Sequence, residues 1–281
     1  MNQPLVSVYI PTKNRPQLLQ RALLSCLSQD YGAIEILLVD DGSDEAAAAQ
    51  IAAMAAKDQR IRLFRLSPSA GAPQARNLAI AEASGEFITG LDDDDEFLAG
   101  RIRSFVCAAQ QNPEIGFFCS GYQYALASGQ TLRGLTGSLQ FGLQQLLMKN
   151  LVGNQIFCRT GVLRQIGGFD PALPACQDYD LWIRLCAAGL AGQRLDLQNY
   201  LVHQAHELPR ISTQQRRLQG QLMLAEKHRA LMTPMQYRAQ HFYAQLYAGP
   251  VTLGQIFRDC PLPLWPLALK MTVLRWLGRK V

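Results

Sequence analysis

Four short apolar runs, Leu5–Ile10, Ile34–Val39, Ile61–Leu66 and Phe87–Leu91, alternate with helix-length segments in the first third of the chain. That alternation leaves few folds open, because consecutive parallel strands need a crossover of roughly a dozen residues or more, usually a helix. Pro11 stops the first run. From about Pro16 to Ser28, Leu19, Leu23, Cys26 and Leu27 recur at helical spacing. Asp44 suits the N-cap of an alanine-rich helix from Glu45 to about Lys57. Pro73 to Ser84 is predicted helical, with Gly85 suited to the left-handed position after its end. The order β-α-β-α-β-α-β predicts an α/β protein whose mostly parallel sheet is covered by helices on both faces.

Ligands of such sheets bind beyond the carboxyl ends of the strands. Three polar clusters fall there: Pro11-Thr12, Asp40-Asp41, and the run Asp92-Asp93-Asp94-Asp95-Glu96. Adjacent carboxylates repel, so four aspartates at one strand end call for a cation, and a hard divalent metal takes carboxylate oxygens. An EF-hand loop fits poorly, since the glycine that its sixth position requires is Phe97 here. Neither GxGxxG nor a Walker A sequence is present, which argues against the usual dinucleotide fold and against a P-loop NTPase. A nucleotide diphosphate held without a glycine-rich loop needs another counter-charge, and a metal on Asp92 and Asp94 would supply it.

The motifs themselves are specific. Val8-Tyr-Ile-Pro-Thr-Lys-Asn-Arg15, Leu38-Val-Asp-Asp-Gly-Ser43, Gly71-Ala-Pro-Gln-Ala-Arg-Asn77 and Leu91-Asp-Asp-Asp-Asp95 are followed by Gly167-Gly-Phe-Asp170 and Gln177-Asp-Tyr-Asp-Leu-Trp182. In this order, over roughly residues 5–210, they resemble the successive motifs of family 2 glycosyltransferases. The resemblance implies a GT-A fold, a nucleotide-sugar donor, a divalent cofactor (Mn²⁺ or Mg²⁺) and inversion at the anomeric carbon. By it, Pro11, Thr12 and Arg15 line the nucleotide pocket, one of Asp40 and Asp41 contacts the base or ribose, and Arg76 approaches the diphosphate. Asp92-Asp93-Asp94 carries the Asp-x-Asp pattern. Asp94 is the first expected metal ligand, Asp92 touches ribose or metal, Asp93 joins the donor site, and Asp95 is a weaker candidate for the sugar or metal shell. His206, ahead of His203, is the expected histidine of the metal site.

An inverting transfer also needs a base to take the proton of the acceptor hydroxyl. The resemblance puts Asp178 in that role, with Asp180 as competitor. Where the family usually has Glu before this aspartate, the chain has Gln177, one negative charge fewer beside the acceptor. Trp182 is expected in the core and Gly167–Asp170 in a turn. Two other readings use the same sheet: a nucleotidyltransferase making nucleotide sugars, and a non-catalytic nucleotide-sugar or glycan-binding module. The first wants a glycine-rich basic loop where Pro11-Thr-Lys-Asn-Arg-Pro16 stands; the second leaves the aspartates without work.

Composition bounds the rest. At 281 residues and 48% hydrophobic, the chain is ample for one large domain with an appendage. Seven cysteines without a CxxC pair read as reduced core thiols. Met1–Val8 lacks the features of a secretory signal, and a cytoplasmic location is expected. Charge is uneven: residues 1–200 carry 16 Lys/Arg against 19 Asp/Glu, and residues 201–281 carry 11 against 3. The expected division is a glycosyltransferase domain at 1–210 and a basic, mainly helical extension at 211–281. The partners expected are the donor, a glycan or lipid-linked acceptor of bacterial surface polysaccharide synthesis, and an anionic membrane surface on the inner face; no motif supports nucleic acid. Pro261–Val281, with Trp265, Trp276 and interior Lys270 and Arg275, is too interrupted to span a bilayer. It is expected either to lie in the membrane interface or to pack on protein.

Overall fold

The structure, a computed structural model, describes residues 3–126, 128–153, 155–203 and 213–276. The first half follows the alternation: β1 (Val6–Thr12), α1 (Pro16–Leu27), β2 (Ile34–Asp41), α2 (Glu45–Ala55), β3 (Ile61–Leu66), α3 (Ala72–Glu82) and β4 (Phe87–Gly90). These strands pair in parallel in the order β3-β2-β1-β4. Strand β2 is buried along its whole length because it is central, whereas β3 is an edge strand with only part of its surface covered. Asp44 caps α2 by accepting a hydrogen bond from Ala47 N. Gly85 does not end α3 in a left-handed turn as expected; Ala83 is already extended there. Glycine is needed instead because a Cβ would sit 2.7 Å from Ser7 N and Oγ, where the chain crosses the start of β1.

After β5 (Glu96–Phe97) and α4 (Arg101–Gln111) the pattern changes. Strands β6 (Phe117–Ala125), β7 (Thr131–Arg133) and β8 (Leu139–Phe141) precede α5 (Leu143–Met148), β9 (Phe157–Arg159), α6 (Thr160–Gln165), α7 (Gln177–Ala187) and β10 (Gly192–His203). Short β9 runs antiparallel to both β4 and β6 and so joins the parallel half to a mixed half, where β6 and β10 are parallel and β5 closes the edge antiparallel. The sheet is sandwiched. One face packs on α1, α2 and α4 through Leu19, Ile51 and Phe105, the other on α3 and α7 through Ala79 and Trp182. Trp182 is fully buried, its indole N–H donating to Gly153 O, as its core assignment requires.

The C-terminal helices are α8 (Gln214–Lys227), α9 (Pro234–Ala248), α10 (Leu253–Asp259) and α11 (Trp265–Trp276). They are tied to the sheet domain through α9. Gln240 is fully buried and donates to Leu147 O of α5, while Gln221 of α8 donates back to Gln240. Phe242, Leu246, Ile256, Cys260, Leu264 and Ala268 form a separate small core. The same segment also exposes Leu253, Phe257, Leu262, Leu269 and Val273. The C-terminal segment thus both packs on protein and leaves apolar side chains exposed. No helix among the described residues is long and apolar enough to cross a membrane.

Candidate active site

A cleft of about 980 Å³ opens beyond the carboxyl ends of β1, β2 and β4. Its wall includes Pro11, Thr12, Arg15, Asp41, Arg76, the run Asp92–Asp95 and, from the start of α7, Asp178. Residues separated by more than 160 positions are brought together because the sheet places three strand ends side by side and α7 lies across them. Asp40 is the exception among the expected set. It does not line the cleft: its carboxylate accepts from Ser43 N and pairs with Arg65 at 3.4 Å, so it holds the turn after β2. Asp41 faces the cleft but also accepts from Ser69 Oγ, Ala70 N and Gly71 N, which fixes the loop ahead of α3.

The four aspartates alternate. Asp93 and Asp95 are buried, whereas Asp92 and Asp94 each keep 23% of their side-chain surface open. Asp93 accepts from Thr12 Oγ1 at 2.8 Å and pairs with Arg15; burial nevertheless pushes its carboxyl up to about 7, with repulsion from Asp94 adding to the rise. Burial and the charges of Asp92 and Asp94 likewise raise Asp95 well above the usual range, against hydrogen bonds from His203 N and the Tyr200 hydroxyl. Both shifts favour the protonated forms of the two buried carboxyls, which lowers the repulsion within the run. Asp92 is held by Arg76 at 2.9 Å and by Gln155 Nε2 at 3.1 Å. Gln155 in turn accepts from the Tyr9 hydroxyl at 3.0 Å. No sequence motif pointed to Gln155, because its partners are 63 and 146 positions away.

The third and fifth motifs act together. Asn77 grips the backbone of Phe169 twice, donating from Nδ2 to Phe169 O at 2.8 Å and accepting from Phe169 N at 2.7 Å. Gly168 has φ +64°, and a Cβ there would lie 2.3 Å from Asn77 Oδ1. The Phe169 ring then supports the Arg76 guanidinium, 5.2 Å from its centroid, which aims Arg76 at Asp92.

Helix α7 begins after Cys176, a left-handed residue at φ 62°, and its first turn sends Asp178 and Asp180 in different directions. Asp178 lines the cleft, recessed among protein atoms yet partly open, and accepts from its neighbour Tyr179 N at 2.8 Å. Burial raises its carboxyl to about 6, with the Tyr179 hydrogen bond and Arg76 acting the other way. Asp180 is fully buried and meets Arg184 at 2.8 Å, Lys227 at 2.8 Å and His228 at 2.9 Å. Burial alone would raise it, but hydrogen bonds from His228 and Lys227, with the charge of Arg184, hold it down to about 2.

This network joins α7 to α8, so Asp180→Ala is expected to destabilise the protein by about 3 kcal/mol, since it leaves cations facing a buried gap. Denaturant unfolding measures that. The depressed pKa adds stability that is complete above the ordinary carboxylate value and is lost as the pH falls through about 2. Retained stability in the variant would show that Arg184, Lys227 and His228 do not depend on Asp180.

Asp92 and Asp94 offer hard oxygen donors two positions apart on one wall. Such a pair fits Mg²⁺ or Mn²⁺ held by one or two carboxylates with substrate phosphates completing the shell. Among the described residues no third His, Cys, Asp or Glu joins them in a self-sufficient metal site. His203 is on the cleft wall, with Nε2 2.6 Å from Glu96, and His206 lies outside the described residues.

Residues 7–166 match the family model "Glycosyl transferase family 2". The chain is 32% identical over 234 residues to the putative colanic acid biosynthesis glycosyl transferase WcaA of Escherichia coli K12, covering 81% of this chain and 82% of that one. Its fold is similar to that of S. aureus TarS residues 1–349 in complex with UDP-GlcNAc, with TM-score 0.69 at 16% identity over 96% of this chain and 81% of that one. It is also similar to a mannosyltransferase of Pyrobaculum calidifontis in complex with GDP-Man and Mn²⁺, with TM-score 0.61 at 18% identity over 97% and 76% of the two chains. The motifs, the GT-A-type sheet and these relatives agree: the chain belongs to glycosyltransferase family 2 and is a glycosyltransferase.

Proposed function

We propose that this glycosyltransferase is metal-dependent and inverting, and moves a sugar from a UDP-sugar to a glycan or lipid-linked acceptor in bacterial surface polysaccharide synthesis. The observation that carries the reading is the single cleft on which Asp92 and Asp94 stand together with a raised-pKa Asp178. In the proposed arrangement the base and ribose lie along Pro11, Thr12, Arg15 and Asp41, and the diphosphate meets Arg76. Asp92 and Asp94 would hold the metal, which when bound supplies Lewis-acid neutralisation of the departing diphosphate. Asp178 takes the proton of the acceptor hydroxyl as its oxygen bonds to the anomeric carbon. The bond from that carbon to the phosphate oxygen breaks, and its electron pair leaves with UDP. A carboxyl near pH 6 suits this work, because at neutral pH it is ionised yet more basic than an exposed aspartate. The pyrimidine choice is supported by the UDP-GlcNAc complex of a similar fold, and polysaccharide synthesis by the name of the E. coli relative.

The experiment is release of UDP from UDP-sugars with Mn²⁺ or Mg²⁺, with the anomeric configuration of the product read by NMR. An α-linked donor should give a β-linked product. A retained α linkage would overturn inversion, and undiminished turnover in EDTA would overturn the metal.

We also propose peripheral attachment to the inner face of the membrane. Phe257 and Leu262, 60% and 71% exposed, stand out on the C-terminal unit, and basic residues around such a surface contribute ~1 kcal/mol each against anionic lipid. Deleting the segment would be a poor test, because it would uncover Phe242 and Leu246. Phe257→Glu with Leu262→Glu leaves that core covered. The double variant is expected to lose co-sedimentation with phosphatidylglycerol vesicles while its thermal midpoint holds; unchanged sedimentation would end the idea.

A further inference from the structure

A second cavity of about 400 Å³ adjoins the cleft, between α5, α7 and the C-terminal helices α8 and α9. The two spaces share Cys176, Asp178 and Arg217, so Asp178 stands at their junction. The far wall carries Lys149 from the end of α5 and Tyr243 and Tyr247 from α9. Among the described residues neither Lys149 nor Arg217 has a carboxylate partner, and neither tyrosine hydroxyl has a hydrogen-bond partner. The one carboxylate on the wall is Asp178. Two uncommitted cations, two phenols and one proton acceptor are an uneven set for a structural cavity. They are a coherent set for a sugar with a negative charge.

We infer that this cavity is the acceptor subsite and that it selects an acceptor with an anionic group, phosphate or carboxylate, next to the sugar that is extended. The inference rests on the proposed role of Asp178. Lys149 and Arg217 bind the anion by charge-assisted hydrogen bonds. Tyr243 and Tyr247 offer flat faces and hydroxyls to the ring, as amphipathic aromatics do where one side is wet. The attacking hydroxyl then points through the junction at Asp178. Gln177 fits this charge balance, because a glutamate in its place would add a second carboxylate beside the same opening. The wall residues Arg217, Tyr243 and Tyr247 lie beyond the 7–166 match to the family, so this selectivity belongs to the C-terminal helices of this chain.

The test occupies the cleft with saturating UDP and Mg²⁺ and titrates three probes by ligand-observed NMR: phenyl phosphate, methyl β-glucuronide and methyl β-glucoside. The charged probes should bind and the glucoside should not. Lys149→Ala and Arg217→Ala should each weaken the charged probes about tenfold, the scale of one hydrogen bond to a charged group. Preference for phenyl phosphate points to a lipid-phosphate acceptor, and preference for the glucuronide to an acidic glycan. Equal binding of the glucoside overturns the inference. So does a loss of UDP affinity in Lys149→Ala, which would give the cations to the donor. If UDP fails to bind the unaltered protein, the donor reading fails; charged-probe binding measured without UDP then decides the cavity by itself.

Discussion

Asp178→Asn is expected to lower kcat by roughly 10²-fold or more, the usual scale for general-base catalysis, while UDP affinity by calorimetry stays within error. Asparagine keeps the shape and can still accept from Tyr179 N, so the start of α7 should be undisturbed. What disappears is a carboxylate that burial has raised to about 6. The sign follows. The base works only when ionised, so the acid limb of the rate profile should fall as pH drops below about 6, not near the ordinary carboxylate value. That limb should be missing from the residual activity of the variant. Asp180→Asn serves as the contrast, since Asp180 has no opening to the cleft and its oxygens are taken by Arg184, Lys227 and His228. Full activity in Asp178→Asn together with inactivity in a folded Asp180→Asn would reverse the assignment.

Asp94→Ala is the second large effect. Transfer should drop by roughly 10³-fold or more, because charge neutralisation by a metal is worth several kcal/mol and each 1.36 kcal/mol is tenfold. The gain in UDP affinity on adding Mn²⁺ should vanish with it. Folding should survive, since the Asp94 side chain is 23% open and its contact with Arg15 is a long 3.5 Å. The backbone of the run is held separately, by Arg21 donating to Asp94 O at 2.6 Å. A variant that binds UDP with undiminished Mn²⁺ dependence would remove Asp94 from the metal and leave Asp92 as the other open carboxylate of the acidic run.

The sequence by itself determined the β-α alternation and parallel pairing of the first four strands and the end of the sheet where their polar clusters fall. Both depend on local information: apolar runs of strand length, helix-length spacers, and breakers such as Pro11. It also determined the family, because six short motifs in a fixed order carry that signal without any three-dimensional detail. The tertiary structure alone decided which members of each acidic cluster face the cleft. Asp40 turned to Arg65 while Asp41 faced the loop at 69–71, and Asp92 and Asp94 stayed open while Asp93 and Asp95 turned inward. Neighbouring aspartates are indistinguishable in a motif, and what separates them is a partner such as Thr12 or Tyr200 that arrives from a distant strand. The same reason hid Gln155, the antiparallel strand β9, and the cavity whose wall joins Lys149 to α8 and α9. Each is an encounter between elements far apart in the chain, and periodicity and spacing describe only what lies within one.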